Sequence, residues 1–447
     1  MMKDFACSWP KAQRAPKGLC LILTSRGGGG HLQAAHAKKT TLAKSLPDTK
    51  VLTVDILLDW LGPVVGKFLA GKWNSAQRRG DLLSLAFYAV GQRFIDNVLW
   101  LPVFFSALHC LLTHKIDWII DTQNMAMPPI VKAARLVQFF TGREITYEKV
   151  ITDLPTKKTT HFFNPIKRLT KKDRSFITLV TTKPLLGEGE NEEEFWKKAC
   201  KLPLSRVKYE ELPLRYSFQQ YSQFEKGKPL TLDFQVKKSE EVLLMLRATA
   251  KGSLTPQVEE HSFKITIPPE TKVSILMLGS NPHEGAILDY TKLFIDLILE
   301  KKNNHRKDVL FIFCNETPER KHALMKRIVS LVESYPAYPK SLTIVPLAFQ
   351  DDSVVAPLFH RSDATFTRSG GITSMEILTA CKGRVWIHRG TAPKFLPKVF
   401  LNCKTIKEGM PPWERGNADY LIARKGAQFV TPTTFREVCK SYFDAPL

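Results

Sequence analysis

The chain of 447 residues is 44% hydrophobic and 24% charged, a globular balance that excludes a disordered or fibrous protein and leaves room for two domains. Its formal net charge of +22 predicts an anionic partner, which can be a phosphorylated substrate, an acidic membrane or nucleic acid. No zinc finger, RNA-binding aromatic signature or helix-turn-helix pattern is evident, and this disfavours nucleic acid.

The first part of the chain alternates strand and helix patterns. An apolar run typical of a buried parallel strand precedes four glycines, a helical stretch and a second strand, which predicts a β-α-β unit with a glycine-rich first turn. The segments of this pattern are strands at residues 19–24, 51–55, 118–121 and 149–152, glycines at 27–30 and a helix at 31–46. We predict a Rossmann-like N-terminal lobe over residues 1–220.

Three features indicate where the protein works. The apolar stretch Val98–Leu112 is too short to span a bilayer, which needs about 20 residues, so it is either a buried helix or one that dips into a membrane surface. A basic cluster from Lys157 to Arg174 follows in the same lobe and can face phosphate head groups. Eight cysteines without C-x-x-C spacing favour buried thiols in a reducing compartment. We therefore expect a cytoplasmic protein held peripherally on an anionic membrane surface.

Residues 221–267 have a different pattern, with short alternating runs and no long helical period. Strands are predicted at residues 230–236, 242–248 and 262–267, which makes this segment an inserted β-rich linker. The pair Pro268-Pro269 then marks a boundary.

Residues 268–447 again alternate strands with helices, which predicts a parallel doubly wound sheet that binds ligands at the carboxyl ends of its strands. The predicted strands are residues 273–279, 309–314, 342–346, 364–367, 385–388 and 428–430. The predicted helices lie near residues 285–300, 317–333, 352–361, 372–382, 414–424 and 432–443. The fold class is thus α/β, with two Rossmann-like doubly wound lobes and a cleft between them.

The glycine-rich turn of the first lobe is a candidate catalytic element. Glycines such as Gly28, Gly29 and Gly30 let another molecule approach the backbone, and the helix behind them presents free N–H groups. His31 occupies the first turn of that helix, where an imidazole can act as a general base. The pattern is not G-x-G-x-x-G, so it does not indicate a nicotinamide cofactor.

Two further motifs join a strand or loop to a helix in the second lobe. Gly370, Gly371 and Thr373 can cradle a phosphate at a helix N-terminus, and Glu376, one turn later, can accept hydrogen bonds from a ribose. In the second motif, Glu414 and Asn417 share a helix face and can grip sugar hydroxyls.

These motifs together resemble the GT-B glycosyltransferases, in particular the monogalactosyldiacylglycerol synthase type and the related enzyme that adds N-acetylglucosamine to the peptidoglycan lipid precursor. The resemblance covers most of the chain except residues 221–267. The segments that carry it are GGGGHLQAAHA, VLTVDILLDW, WNSAQRRGDLLSLAFYAV, VITDLPT, ELPLRYSF, RSGGITSME and PPWERGNADYL.

The resemblance implies a UDP-sugar donor in the C-terminal lobe and an acceptor in the N-terminal lobe. The implied donor contacts are Gly370, Gly371 and Thr373 to the diphosphate, Glu376 to the ribose, and Glu414 and Asn417 to the hexose. An acceptor hydroxyl is deprotonated near His31, with Asp153 as the next candidate base, and the anomeric carbon is inverted. No cofactor or metal ion is expected, because backbone dipoles stabilise the leaving diphosphate.

The implied activity is transfer of a hexose to a membrane lipid such as diacylglycerol, as in glycolipid biosynthesis. Trp413 stands where the family usually has a glutamine, and Lys158 and His161 replace its usual histidine and tryptophan. Three alternatives therefore stay open. They are a glycosyltransferase with a protein or soluble acceptor, a UDP-sugar epimerase, and an inactive nucleotide-sugar-binding module.

Overall fold

Two parallel sheets of six strands each organise the chain, and they confirm the predicted fold class. The computed structural model describes residues 18–27, 29–210, 214–220, 227–259, 262–301, 306–315, 321–393 and 404–444. Each sheet carries helices on its faces and forms one lobe, and the two lobes face each other across a cleft, as in the GT-B architecture.

The first lobe is built on a sheet whose central strand is buried on both faces, since Cys20, Leu21, Ile22 and Leu23 are inaccessible to solvent. Its strands are β1 (Leu19–Thr24), β2 (Val51–Asp55), β3 (Ile116–Asp121), β4 (Thr146–Val150), β5 (Ile177–Thr181) and β6 (Val207–Tyr209). They lie in the order β2-β1-β3-β4-β5-β6, so the chain reverses its direction of winding between β1 and β3. In doubly wound sheets such a reversal opens a crevice for ligands.

The helices of this lobe lie between its strands along the chain. They are α1 (Gly29–Ser45), α2 (Gly62–Arg79), α3 (Leu82–Val98), α4 (Trp100–Thr113), α5 (Met127–Thr141), α6 (Asn164–Arg168), α7 (Lys171–Arg174) and α8 (Glu192–Cys200). A π-helical turn, Ile56–Trp60, joins β2 to α2, and its first N–H groups are capped by the side chain of Asp55. The chain then leaves the lobe through α9 (Tyr216–Gln220).

The apolar stretch Val98–Leu112 coincides with α4 and has two distinct faces. Val103, Ala107 and Leu111 are buried in the lobe, whereas Leu101 and Phe105 are more than half exposed. Within the part of the chain that the structure describes, no single helix is long and apolar enough to cross a membrane. A bent pair of helices, Gly91–Val98 and Trp100–Thr113, reaches that length and composition together, with a 55° bend.

The segment before the second lobe is a small antiparallel sheet with one helix. Its strands are β7 (Leu230–Gln235), β8 (Gln257–Glu259) and β9 (Ser262–Ile267), in the order β7-β9-β8. The predicted strand at residues 242–248 was wrong, because these residues form α10 (Ser239–Thr249). The buried side chains of α10 are Glu241, Leu244, Met245, Ala248 and Thr249, and their spacing is helical. In a short apolar run, such a pattern cannot be told from that of a strand. Leu244 and the inward residues of β7 and β9 join the core of the second lobe.

The second lobe matches the predicted alternation closely. Its strands are β10 (Lys272–Met277), β11 (Asp308–Phe313), β12 (Leu342–Leu347), β13 (Ala364–Thr367), β14 (Arg384–His388) and β15 (Gln428–Val430). Their order, β12-β11-β10-β13-β14-β15, is that of a dinucleotide-binding sheet, with the reversal between β10 and β13.

The helices of the second lobe lie between its strands, as predicted. They are α11 (Glu284–Glu300), α12 (Ala323–Glu333), α13 (Asp352–Arg361), α14 (Gly371–Ala380), α15 (Lys404–Lys407), α16 (Glu414–Lys425) and α17 (Phe435–Asp444). The predicted helix at 317–333 is observed from Ala323 onward, and residues 316–320 lie outside the described residues.

Candidate active site

A cleft of about 410 Å³ lies between the carboxyl ends of the two parallel sheets. It contains both points at which the sheets reverse their direction of winding, so the fold places its ligand-binding edges against each other. The predicted site residues that line the cleft are Gly29, Gly30, His31, Asp153, Gly370, Gly371, Thr373, Glu376 and Glu414. Asn417 does not line it, and Gly28 lies outside the described residues.

His31 occupies the first turn of α1, at the crevice between β1 and β3. Its Nδ1 lies 2.7 Å from the carbonyl oxygen of Thr122, the residue that follows β3. A carbonyl only accepts, so Nδ1 carries the proton and Nε2 keeps its lone pair. Burial lowers the pKa of the imidazole to about 4, the charge of Lys149 acts in the same direction, and the bond to Thr122 opposes them. His31 is therefore neutral at physiological pH and able to accept a proton.

A buried ion pair supports the segment that orients His31. The ammonium of Lys149 lies 3.2 Å from Oδ2 of Asp121 and donates to the carbonyl of Gln123, and neither charged side chain reaches solvent. Asp121 also accepts hydrogen bonds from Tyr147 Oη at 2.7 Å and from the backbone N–H of Gln123 at 3.1 Å. These bonds hold both neighbours of Thr122, whose carbonyl binds the imidazole. Burial lowers the pKa of Lys149, and the nearby carboxylate of Asp121 opposes this shift.

Asp153 lies in the loop after β4, next to the second lobe. Its carboxylate accepts a hydrogen bond of 3.0 Å from Nδ2 of Asn417 in the second lobe. Burial raises the pKa of Asp153 to about 6, the bond from Asn417 lowers it, and the charge of Glu414 raises it. Asp153 is thus a second group in the cleft that can exchange a proton near neutral pH.

The loop before α14 has the features of an anion site. Gly370 is the N-cap residue and, as a glycine, has no side chain to cap the helix, so the first N–H groups of the helix remain available to a ligand. Gly371 and Thr373 share this first turn and line the cleft. A Cβ at Gly371 would overlap the carbonyl oxygen of Thr152 across the cleft, so only glycine permits this approach of the lobes.

Glu376 lies one turn into α14 and has a cationic partner that the sequence analysis missed. The Nε of Arg215 lies 2.7 Å from Oε1 of Glu376. Burial raises the pKa of Glu376, and the charge and hydrogen bond of Arg215 lower it. Arg215 belongs to the segment by which the chain leaves the first lobe, so its bond to Glu376 connects that segment to the cleft. Arg215 is the arginine of the motif ELPLRYSF, but no neighbouring residue in the motif identifies Glu376 as its partner.

Glu414 and Asn417, at the start of α16, differ in how far they face the cleft. Glu414 lines the cleft, and Arg368 binds both its oxygens, with Nη2 at 2.6 Å and Nε at 3.3 Å. Asn417 is fully buried behind the cleft wall. Its Oδ1 accepts from the N–H of Leu154 at 2.7 Å, and its Nδ2 donates to Asp153, so its amide joins the two lobes.

The loop after β10 also joins the lobes. Ser280 Oγ accepts a hydrogen bond of 3.1 Å from the N–H of Gly29, and a side chain at Gly29 would overlap Ser280. Asn281 Nδ2 donates to side-chain oxygens of α2, and Arg78 donates to its Oδ1 at 3.1 Å.

Two parts of the cleft wall are apolar. Phe349, which follows β12, and Phe313, at the end of β11, line the cleft together with Gln350 and offer aromatic faces that suit a nucleobase. On the first lobe, the cleft is lined by Leu57, Leu69, Ala70, Ile95, Met125 and Phe162. Sequence reasoning missed both sets, because neither forms a contiguous motif.

No protein-family model and no curated protein matches the sequence. Among solved structures, the chain is similar to MurG of Acinetobacter baumannii at 13% identity, over 95% of this chain and 90% of that chain, with a TM-score of 0.44. It is also similar to the glycotransferase of kitacinnamycin (11% identity, 96% and 91% coverage, TM-score 0.42). A UDP-forming α,α-trehalose-phosphate synthase from Burkholderia xenovorans matches at 12% identity, with 96% and 93% coverage and a TM-score of 0.42. The fold of this chain is established by its own strand order.

Proposed function

We propose that this protein is an inverting glycosyltransferase that moves a hexose from a UDP-sugar to a hydroxyl of a membrane lipid such as diacylglycerol. One observation carries the proposal. A neutral imidazole, His31, lies at the winding reversal of the first sheet, and an uncapped helix N-terminus lies at the reversal of the second, across one cleft. A base on one side of the cleft can take the proton of an attacking hydroxyl, and an anion site on the other side can hold the diphosphate that the hydroxyl displaces.

The second lobe supplies the donor contacts in this proposal. The N–H groups at the start of α14 bind the diphosphate, and Glu376 accepts hydrogen bonds from the ribose with the oxygen that Arg215 leaves available. The pocket at Phe349 and Gln350 holds the uracil. The helix dipole stabilises the negative charge that grows on the leaving UDP, so the proposal requires no metal ion.

The first lobe supplies the base. As the acceptor oxygen attacks the anomeric carbon, its proton passes to Nε2 of His31 and the bond between that carbon and the phosphate oxygen breaks. UDP leaves on the face opposite to attack, so the anomeric configuration inverts. The carbonyl of Thr122 stabilises the imidazolium that forms, because it accepts from Nδ1.

The acceptor is assigned to a lipid because of the helices around the cleft. The inner faces of α2 and α3 line it with apolar side chains such as Leu69 and Ile95, and their neighbours Phe68 and Phe94 point outward and are exposed. The same two helices therefore present apolar side chains both to the cleft and to the surface. This arrangement suits acyl chains that stay in a bilayer while the head-group hydroxyl reaches His31.

Helices α2 to α5 carry most of the large apolar side chains that the described residues expose. They are Val64, Val65 and Phe68 on α2, Phe87, Phe94 and Val98 on α3, Leu101, Phe105 and Leu112 on α4, and Leu136, Phe139 and Phe140 on α5. Exposed lysines of α6 and α7, which follow α5 in the fold, include Lys167, Lys171 and Lys172. Exposed apolar side chains beside cations are typical of a peripheral membrane site.

Replacement of Glu376 by alanine is expected to weaken UDP binding by about 1.5–3 kcal/mol, because it removes the buried carboxylate that accepts hydrogen bonds from the ribose. Titration calorimetry with UDP measures the change. Glu376→Gln, which keeps one acceptor, serves as the matched variant and should lose less. Equal UDP affinity in the wild type and in Glu376→Ala would remove Glu376 from the donor site.

The protein is expected to sediment with vesicles of phosphatidylcholine and phosphatidylglycerol, and much less with phosphatidylcholine alone. Each basic residue near an anionic surface contributes about 1 kcal/mol. Part of the binding should persist at about 1 M salt, where the Debye length is about 3 Å, because phenylalanines insert.

A double variant tests which surface inserts. Phe139 and Phe140 are 80% and 75% exposed, so replacing both by serine should abolish the salt-resistant binding without disturbing the core. Leu243→Ser, at an exposed position of α10 in the other lobe, is the control and should bind as the wild type does. Absence of sedimentation at low salt would contradict the membrane assignment and favour a soluble acceptor.

A further inference from the structure

Three aromatic side chains meet across the cleft. Trp73 of α2 and Trp413, the residue before α16, have ring centroids 5.0 Å apart and planes inclined by 34°. Tyr88 of α3 packs edge-on against Trp73 at 5.8 Å. All three line the cleft, and because Trp413 belongs to the second lobe, the group joins the lobes. We call these residues the aromatic clamp.

The clamp lies beside the loop assigned to the diphosphate. Trp413 directly precedes Glu414, whose carboxylate is bound by Arg368, and Arg368 directly precedes the Ser369-Gly370 turn before α14. The backbone carbonyl of Trp413 also accepts from Asn417 at 3.4 Å. These bonds fix the backbone of Trp413 next to the loop assigned to the diphosphate.

Two polar side chains of α16 near Trp413 are engaged by the protein itself. Both oxygens of Glu414 are bound by Arg368. Asn417 is fully buried, with its oxygen bound to Leu154 and its nitrogen bound to Asp153. Asn417 would have to break these bonds to reach a sugar, and Glu414 can accept from one only with the lone pairs that Arg368 leaves. The aromatic side chains of the clamp are a further surface that the cleft offers to a sugar.

One donor of the clamp, the indole N–H of Trp73, can bind a sugar oxygen. Nε1 of Trp73 is shielded from solvent and has no hydrogen-bond partner among the residues that the structure describes. A buried indole N–H usually has an acceptor, so its lack of one is expected to cost stability until a ligand supplies an oxygen. A pyranose offers both an apolar C–H face and a rim of oxygens, which matches an indole surface with one N–H that lacks a partner.

We propose that the aromatic clamp is the hexose-binding subsite of the donor site. Trp413 stacks on the C–H face of the hexose and Trp73 donates its indole N–H to one of the sugar oxygens. This inference rests on the proposed function, because it takes the nucleotide to lie in the second lobe. Since the clamp draws on both lobes, the hexose part of the donor is held only where the cleft is closed.

Calorimetry with UDP, UDP-galactose and UDP-glucose tests the clamp. The wild type should bind at least one UDP-hexose more tightly than UDP, and Trp413→Ala should lose about tenfold in affinity for that UDP-hexose with its affinity for UDP unchanged. Trp413→Phe should retain part of the difference. Trp100→Phe, on α4 and outside the cleft, is the control and should behave as the wild type does. Thermal unfolding of each variant verifies that it is folded.

The outcomes separate the clamp from the proposed function. If Trp413→Ala weakens UDP and UDP-hexose equally, or if the wild type gains nothing from the hexose, the clamp is overturned and the nucleotide site stands. If the wild type binds neither UDP nor any UDP-hexose, the proposed function itself fails. The clamp is supported if Trp413→Ala loses affinity for the UDP-hexose but not for UDP, and if the loss in Trp413→Phe is intermediate.

Discussion

Replacement of His31 by alanine is expected to reduce transfer by about 10²–10⁴-fold while UDP affinity stays nearly unchanged, because the variant lacks the base but keeps the second lobe intact. Steady-state transfer rates and UDP calorimetry on the same preparation measure both effects. His36→Ala, at an exposed position of α1, is the matched control and should retain full activity.

The pH profile of kcat/KM identifies the base independently of the substitution. Burial lowers the pKa of His31 to about 4, so activity should fall only as the pH drops toward 4, where the imidazole becomes protonated. Burial raises the pKa of Asp153 to about 6, so a reaction based on that carboxylate would lose activity near pH 6. An acid limb near 6, together with full turnover by His31→Ala, would transfer the role to Asp153.

Replacement of Lys149 by methionine is expected to lower the free energy of unfolding by about 3–5 kcal/mol, because it leaves the buried carboxylate of Asp121 without its cation. Urea unfolding at pH 7 measures the loss. The double variant Lys149→Met/Asp121→Asn removes both charges and should recover part of the stability. A loss below about 1 kcal/mol in the single variant would mean that water or another cation compensates Asp121.

The strands of the second lobe were predictable because strands buried on both faces read as continuous apolar runs, as in Val309–Cys314. Strands β5 and β6 were not predicted. β6 is short and only half buried, and β5 has five residues of which two are threonines, so it lacks a continuous apolar run. Residues 242–248 were misassigned because the helical spacing of their buried side chains is too brief to exclude a strand. Local pattern therefore predicted the strands of the second lobe and left two strands of the first lobe unassigned.

The residues of the candidate site were likewise predictable only in part. His31 and the Gly370 turn were predictable because each follows a strand within one β-α unit, where ligands bind. Arg215 and Glu376 are 161 positions apart, and Asp153 and Asn417 are 264 apart, so no spacing rule pairs them. The same holds for Trp73 and Trp413, which meet only because the two lobes face each other. Long-range partners follow from the tertiary fold and not from local sequence.

Release of UDP from a panel of UDP-hexoses, measured with and without vesicles that contain diacylglycerol, tests the proposed function most directly. We expect the purified protein to release UDP from at least one donor only when the vesicles are present, with an equal amount of glycosylated lipid of inverted anomeric configuration. If UDP is released only when a soluble or protein acceptor is added, that acceptor class replaces the lipid in the proposed reaction. Interconversion of UDP-sugars without UDP release would indicate an epimerase. No UDP release and no UDP-sugar conversion with any donor, from protein that is folded, would contradict the proposed transferase activity.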